Sequence, residues 1–227
     1  MARYKRAPAV NFPTDLVFAA AQAAYRINKN QYVNVLPSPY ETEMTFKDGK
    51  VPLYLNKTLM LNYVVDQSQI TDEDRQLGTE ARTHCQSIAL KVLKEQKLSD
   101  FDQKMVELAS ADSIPNFNFG YIAYTPKMYA GVMARRQVED VLYDCKNEYV
   151  ADVGKKIKVT AKIIRATYSQ KYNSYVMTGI DDQNRGLFFF RGTALEVGKT
   201  YTMSATVKRH ADKYQTQLSF VRQPKEA

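Results

Sequence analysis

Lys156-Ile157-Lys158-Val159-Thr160-Ala161-Lys162-Ile163 is the stretch on which the reading of the fold turns. Apolar side chains alternate with lysine or threonine without a break, the pattern of a strand with one face in a core and the other in water. The alternation runs from Lys156 to about Thr167. Four more stretches of strand character follow: Tyr172 to Ile180, Leu187 to Arg191, Tyr201 to Val207 and Thr216 to Val221. Turn residues part them, as in Asp181-Asp182-Gln183-Asn184-Arg185-Gly186 and Val197-Gly198-Lys199. Five short strands, the first long and curved, predict an OB-like five-stranded Greek-key β-barrel.

Working back from this stretch, the chain changes character at Tyr149. Residues 148–227 are expected to form the barrel domain, and residues 1–147 a mainly helical α+β domain with a small β-hairpin. The fold class is therefore α+β. In the front part, residues 1–12 read as a short basic arm. Thr14 to Asn28 carries Leu16, Val17, Ala20, Ala23, Ala24 and Ile27 at helical spacing. From Gln31 to Val65 the signal is β and loop: Asp48-Gly49 marks a hairpin turn, and Pro37, Pro39 and Pro52 keep the sheet short. Thr71-Asp72-Glu73-Asp74 opens what reads as the longest helix, to about Lys97, with a buried stripe of Leu77, Ala81, Cys85, Ile88 and Val92. Ser99 caps a shorter helix to about Ala111, with Phe101, Met105 and Leu108 inward. Thr125-Pro126 starts a last one, to roughly Asn147.

Charge separates the two parts. Residues 148–227 hold 14 Lys and Arg against 7 Asp and Glu, a net of +7 out of the +8 of the whole chain. Because these cations are interleaved with Val, Ile and Tyr, they belong to a folded face. A compact basic β-module with exposed aromatic rings is the footprint of a surface that tracks a polyanion. The 16 Tyr and the absence of Trp fit surfaces that are half apolar and half wet. No run approaches the roughly 20 apolar residues of a membrane span. The basic start, interrupted by Pro8, Asn11 and Pro13, does not read as a signal peptide. Two cysteines, Cys85 and Cys145, fit a reducing cytoplasm, and the protein is expected there.

Chemistry-bearing clusters each have a plainer explanation. His84, Cys85, Cys145 and His210 lack zinc spacing, so no metal is expected. Asp72, Glu73 and Asp74 mark a helix start, and Asp181-Asp182 a turn, where Asp makes local hydrogen bonds. There is no phosphate-cradling glycine loop and no nucleophile elbow, so neither an enzyme nor a cofactor is expected. Of Phe188-Phe189-Phe190, neighbours must point to opposite faces of a strand, and the sequence leaves open which set fills the core.

In an OB-fold the ligand lies across the second and third strands, framed by the loops after the first and the fourth. Here those loops are Arg165 to Tyr172 and Lys208 to Tyr214, and both alternate cations with tyrosine. Lys and Arg neutralise phosphates, and flat rings stack on bases of any sequence. The candidate nucleic-acid-binding residues are Lys162, Arg165, Tyr168, Lys171, Tyr172, Tyr175, Arg191, Lys208, Arg209, Lys213 and Tyr214.

The runs Val153-Gly154-Lys155-Lys156-Ile157, Tyr172-Asn173-Ser174-Tyr175, Thr178-Gly179-Ile180-Asp181, Val197-Gly198-Lys199-Thr200-Tyr201 and Thr206-Val207-Lys208-Arg209-His210 resemble a small β-module of bacteriophage replication-associated proteins. That module is similar to the OB-folds of single-strand-binding proteins. The resemblance covers about a third of the chain and implies an accessory of phage replication or recombination, in the host cytoplasm. The end, Gln223-Pro224-Lys225-Glu226-Ala227, is not an acidic tail of the kind many phage single-strand binders use to recruit partners. That favours an accessory over a bulk coating protein. The expected partner is single-stranded nucleic acid, DNA favoured, with the nearly neutral front domain meeting a replication or host protein. The alternative is a protein-interaction adaptor or inhibitor whose basic barrel is architectural.

The fragment from Glu148 to Ala227 should fold alone, having five strands and its own apolar set. Circular dichroism of that fragment is expected to show a β spectrum; random coil or substantial helix would overturn the boundary.

Overall fold

The computed structural model describes residues 9–36, 43–46 and 49–227. Two compact units divide the chain, Met1–Met133 and Ala134–Ala227. The first contains β1 (Asn11–Pro13), α1 (Thr14–Ile27), β2 (Glu43–Phe46), β3 (Gly49–Pro52), α2 (Asn56–Tyr63), α3 (Asp72–Ser87), α4 (Asp100–Ser110), β4 (Ser113–Pro115), α5 (Phe119–Ile122) and the start of α6 (Thr125–Tyr143).

Helix α1 is the hub of this unit. Val17, Phe18, Ala20, Ala21, Ala23 and Ala24 are fully buried. Its alanines leave room for a neighbouring backbone, and α3 uses that room at Gly78. A Cβ there would lie 2.8 Å from the Ala19 nitrogen, so the close approach of the two helices requires glycine. The Thr71 hydroxyl accepts from the Asp74 amide while the Asp74 carboxylate accepts from the Thr71 amide, which is a complete capping box. The same carboxylate, 3% exposed, pairs with the Arg26 guanidinium at 2.8 Å and so fastens the start of α3 to the end of α1. Cys85 is buried, and burial pushes its thiol up to about 12, so it packs as a small hydrophobe.

Several details depart from the sequence-based expectation. Helix α3 stops at Ser87 and continues as a 3₁₀ segment, Ile88–Lys94, so α6 with 19 residues is the longest helix among the described residues. Changing to three residues per turn rotates the face, which leaves Val92 56% exposed, while Asp74, Gly78, Ala81 and Cys85 form the buried stripe of α3. Helix α2 lies where β and loop were expected. It is eight residues long, and tertiary bonds anchor its first residue: the buried Asn56 side-chain oxygen Oδ1 accepts from Asn28 Nδ2 and from the Val33 amide. Asn11 and Phe12, read as part of an arm, pair with Pro115 and Ile114. The hairpin strands pair as expected, with Phe46 opposite Gly49. Lys47 and Asp48 of its turn lie outside the described residues, as do Pro37, Pro39 and residues 1–8 of the arm.

The second unit holds the end of α6 and then β5 (Lys156–Ser169), β6 (Ser174–Asp181), β7 (Gly186–Arg191), β8 (Thr200–His210) and β9 (Thr216–Glu226). These close into a barrel in the order β5-β6-β7-β9-β8, with only the β7–β9 pair parallel. The expected OB-like architecture is present. Strand β5 serves two neighbours: residues 156–162 pair with β8 and residues 161–169 with β6. A bulge between Ile163 and Arg165 bends it at the changeover. At that bend β6 carries Gly179, where a Cβ would come within 2.9 Å of the Lys162 carbonyl oxygen. Ile163, Met177, Leu187, Phe189, Met203 and Leu218 fill the interior. The β6–β7 turn is built on Asp181, whose buried carboxylate accepts from the Gln183 and Arg185 amides and pairs with the Arg185 guanidinium at 2.7 Å. No helix among the described residues is long and apolar enough to cross a membrane.

Burial raises the affinity of the Asp74 carboxyl for its proton, but hydrogen bonds from Arg26 and Thr71 outweigh this and hold it below the ordinary range. A carboxyl that is more acidic when folded stabilises fully above its unfolded value of about 3.9, and that gain fades as pH falls through the folded value. Asp74→Ala should lower stability at pH 7 by about 2 kcal/mol, allowing for the solvent screening of Arg26. Urea titrations should find the gap to wild type narrowing below about pH 4; a gap independent of pH would refute the pairing.

Candidate nucleic-acid interface

Pairing between β6 and β7 decides which rings face outward. Met177 lies opposite Phe189 and Gly179 opposite Leu187, all four buried. Val176 opposite Phe190 and Thr178 opposite Phe188 therefore form the outer face. Of the three phenylalanines, Phe189 fills the core while Phe190 is 37% exposed. Phe188 and Phe190 meet edge to face at 6.4 Å, and Tyr172, from the turn after β5, sets its ring edge to face on Phe190 at 5.1 Å. The result is a line of three aromatic rings, two on the third strand of the barrel and one on the turn that precedes the second.

Beside that line runs a groove of about 600 Å³ lined by Tyr172, Ser174, Phe190, Lys208, Arg209 and Gln217. The barrel closure creates it, because Gln217 of β9 lies opposite Phe188 on one side and Arg209 on the other. Arg209 Nε donates to Gln217 Oε1 at 2.6 Å, which holds the guanidinium at the groove. Lys208 falls at a register shift between Val207 and Arg209, so both cations are exposed. The Lys171 ammonium stands 5.4 Å from the centre of the Tyr172 ring.

The other candidate residues are spread around the barrel. Arg165 shares an outer-face row with Thr178 and Phe188, and its Nε donates to Thr167 Oγ1 at 2.9 Å. Lys162 is exposed on the same strand but lies opposite Ile180 and Thr200, outside the groove. Tyr175 and Arg191 face each other on the inward register, and Tyr175 packs partly buried on the core. Tyr168 touches Tyr175 at 5.2 Å and its hydroxyl donates to Asn173. Lys213 and Tyr214 sit in the β8–β9 turn, both with left-handed backbone. Tyr214 leans on Tyr149 at 5.6 Å, and Tyr149 stacks on His210 at 3.8 Å. The structure thus gathers Tyr172, Lys208 and Arg209 in one groove, with Lys171 beside it, and leaves the remaining seven elsewhere.

Ser174, Phe188, Phe190 and Gln217 escaped the sequence-based selection. Phe190 was readable in part, since any inward Phe189 forces its neighbours out. Gln217 was not, because its place depends on the parallel pairing that closes the barrel.

Ion pairs in the barrel engage Lys155, Arg185 and Lys199. None of Lys171, Lys208 and Arg209 is in an ion pair among the described residues. The groove therefore carries uncompensated positive charge beside aromatic rings. Comparisons with protein-family models, with curated proteins and with solved structures find no match.

Inner and outer rings should behave differently on truncation. Phe189→Ala is expected to cost about 3–5 kcal/mol of stability, and Phe190→Ala under about 1 kcal/mol. Denaturant midpoints for the two variants check this; equal losses would contradict the assigned facing.

Proposed function

We propose that this chain is a non-enzymatic protein that binds single-stranded nucleic acid, DNA favoured, in the groove of its OB-like barrel. On its resemblance to the phage β-module it is an accessory of phage replication or recombination, acting in the host cytoplasm. The observation that carries the reading is the groove lined by Tyr172 and Phe190 together with Lys208 and Arg209, neither of which is in an ion pair among the described residues. Its chemistry suits a strand: cations neutralise phosphates, and the line of rings offers faces to unstacked bases. Arg165 extends the charge along the same face. Discrimination against duplex follows from the rings, because paired bases are already stacked on one another.

A second reading, a protein-interaction adaptor or inhibitor, is favoured by a different observation. The first unit has an apolar hollow of about 430 Å³ lined by Tyr32, Phe101, Phe117, Gly120, Tyr121 and Tyr124. Phe117 there is 64% exposed. Aromatic surfaces of this kind are common where proteins meet.

Titration of short labelled strands over a salt series separates the two. Log affinity should fall with log salt at roughly 0.7 per phosphate contact, and Tyr172→Ala should weaken single-strand binding about 5- to 150-fold while leaving duplex binding nearly unchanged. Affinity that is flat across salt, or equal weakening for single strand and duplex, would remove the OB-type mechanism.

A further inference from the structure

The barrel has a second basic groove, of about 710 Å³, that plays no part in the function proposed so far. Its lining includes Lys156 and Lys158 of β5, Ser204 and Thr206 of β8, and Phe220 and Arg222 of β9. Pairing arranges these on the outer face in two transverse rows, Lys156–Thr206–Ser219 and Lys158–Ser204–Arg222. Among the described residues that line it, none is acidic. Neither lysine nor Arg222 is in an ion pair among the described residues.

Phe220 is the unusual member. It is 74% exposed and its φ is 51°, in the left-handed region that disfavours residues with a side chain. The cause is visible in the register: Ser219 lies opposite Thr206 and Arg222 opposite Ser204, so β9 spends three steps where β8 spends two. Phe220 sits in that bulge, where glycine or asparagine is the ordinary choice. An exposed phenylalanine in such a backbone helps neither folding nor solubility, and strain of this kind collects at ligand sites.

The two grooves share one ribbon. Along β8, Ser204 and Thr206 line the second groove and Lys208 the first, about 13 Å apart end to end at the rise of a strand. The edge of the second groove toward the first is the row of small polar Thr206 and Ser219, and the Ser219 hydroxyl donates to the Thr206 carbonyl. Both side chains are too short to block a strand laid across them.

We propose that the single strand bound in the first groove continues over the β8–β9 ribbon into the second. There Lys156, Lys158 and Arg222 take its phosphates and Phe220 stacks on a base. The proposal rests on the single-strand-binding function and deepens it by setting the footprint. OB-folds cover about 4 to 16 nucleotides, and two joined grooves place this barrel toward the upper end.

Full-length protein, titrated with single strands of about 5 and about 15 nucleotides, tests this against Tyr172→Ala and two second-groove variants. One variant combines Lys156→Ser, Lys158→Ser and Arg222→Ser; the other is Phe220→Gly. Glycine accepts the left-handed backbone, so Phe220→Gly should keep or raise the melting temperature, and weakened binding then cannot come from unfolding. Phe220→Gly is expected to weaken the long strand about 5- to 150-fold and leave the short one at wild-type affinity. The triple variant should also lower the long-strand salt slope by about 0.7 for each phosphate that is no longer neutralised. If both second-groove variants bind the long strand like wild type while Tyr172→Ala weakens both lengths, the second groove is off the path and single-strand binding in the first groove stands. Equal weakening of both lengths by the triple variant overturns the path as well. Wild-type protein that binds neither length removes the proposed function and this inference with it.

Discussion

The arrangement of the barrel depends on one strand that has two partners. Strand β5 pairs with β8 along its first half and with β6 along its second, and the bulge between Ile163 and Arg165 lets the same backbone turn from one to the other. Without that bend the sheet would stay open, since closure by the parallel β7–β9 pair needs β8 brought round to β5. Gly179 is the companion of the bulge, giving the Lys162 carbonyl room that a Cβ would take. Everything on the outer surface follows from the closed register. Gln217 reaches both Phe188 and Arg209 because it stands on the closing strand. Phe190 faces the loop that carries Tyr172 because Phe189 is locked inside.

How much of this was legible depends on the range of the interaction concerned. The five strands could be read because alternation such as Lys156-Ile157-Lys158-Val159 is a local record of which face meets the core. Thr71 and Asp74 announced a helix start because the capping box is completed within four residues. Helix α2 was not legible: Asn56 is fixed by Asn28 and Val33, more than 20 residues away, and the segment has little periodicity of its own. The site shows the same division. Lys208, Arg209 and Tyr172 were found because cations and tyrosine crowd near the turns that frame an OB groove, although Lys208 and Arg209 lie at the end of β8 itself. Tyr214 was selected by the same rule, yet its ring lies on Tyr149, a contact over 65 residues that no spacing rule reports. Tyr175 and Arg191 turn on facing, which a bulge in β5 and a closed register fix.

Four acids of the barrel, Asp152, Asp181, Glu196 and Glu226, pair with Lys155, Arg185 and Lys199. Asp181 is consumed by Arg185 inside the β6–β7 turn, and Glu196 and Glu226 clasp Lys199. Lys156, Lys158, Lys208, Arg209 and Arg222 receive no such partner among the described residues. Like charges on adjacent strands oppose folding modestly, and Lys158 and Arg222 flank Ser204 from either side. The isolated chain gains nothing from that placement. A polyanion laid along β8 and β9 changes the sign of the interaction, turning repulsion between neighbouring cations into shared attraction for one chain of phosphates. The left-handed Phe220 and the outward Phe190 obey the same logic, since each exposes a ring that the fold alone would bury or replace. Cations in no ion pair among the described residues and uncovered rings occur side by side in both grooves, and the proposed single strand would satisfy both at once.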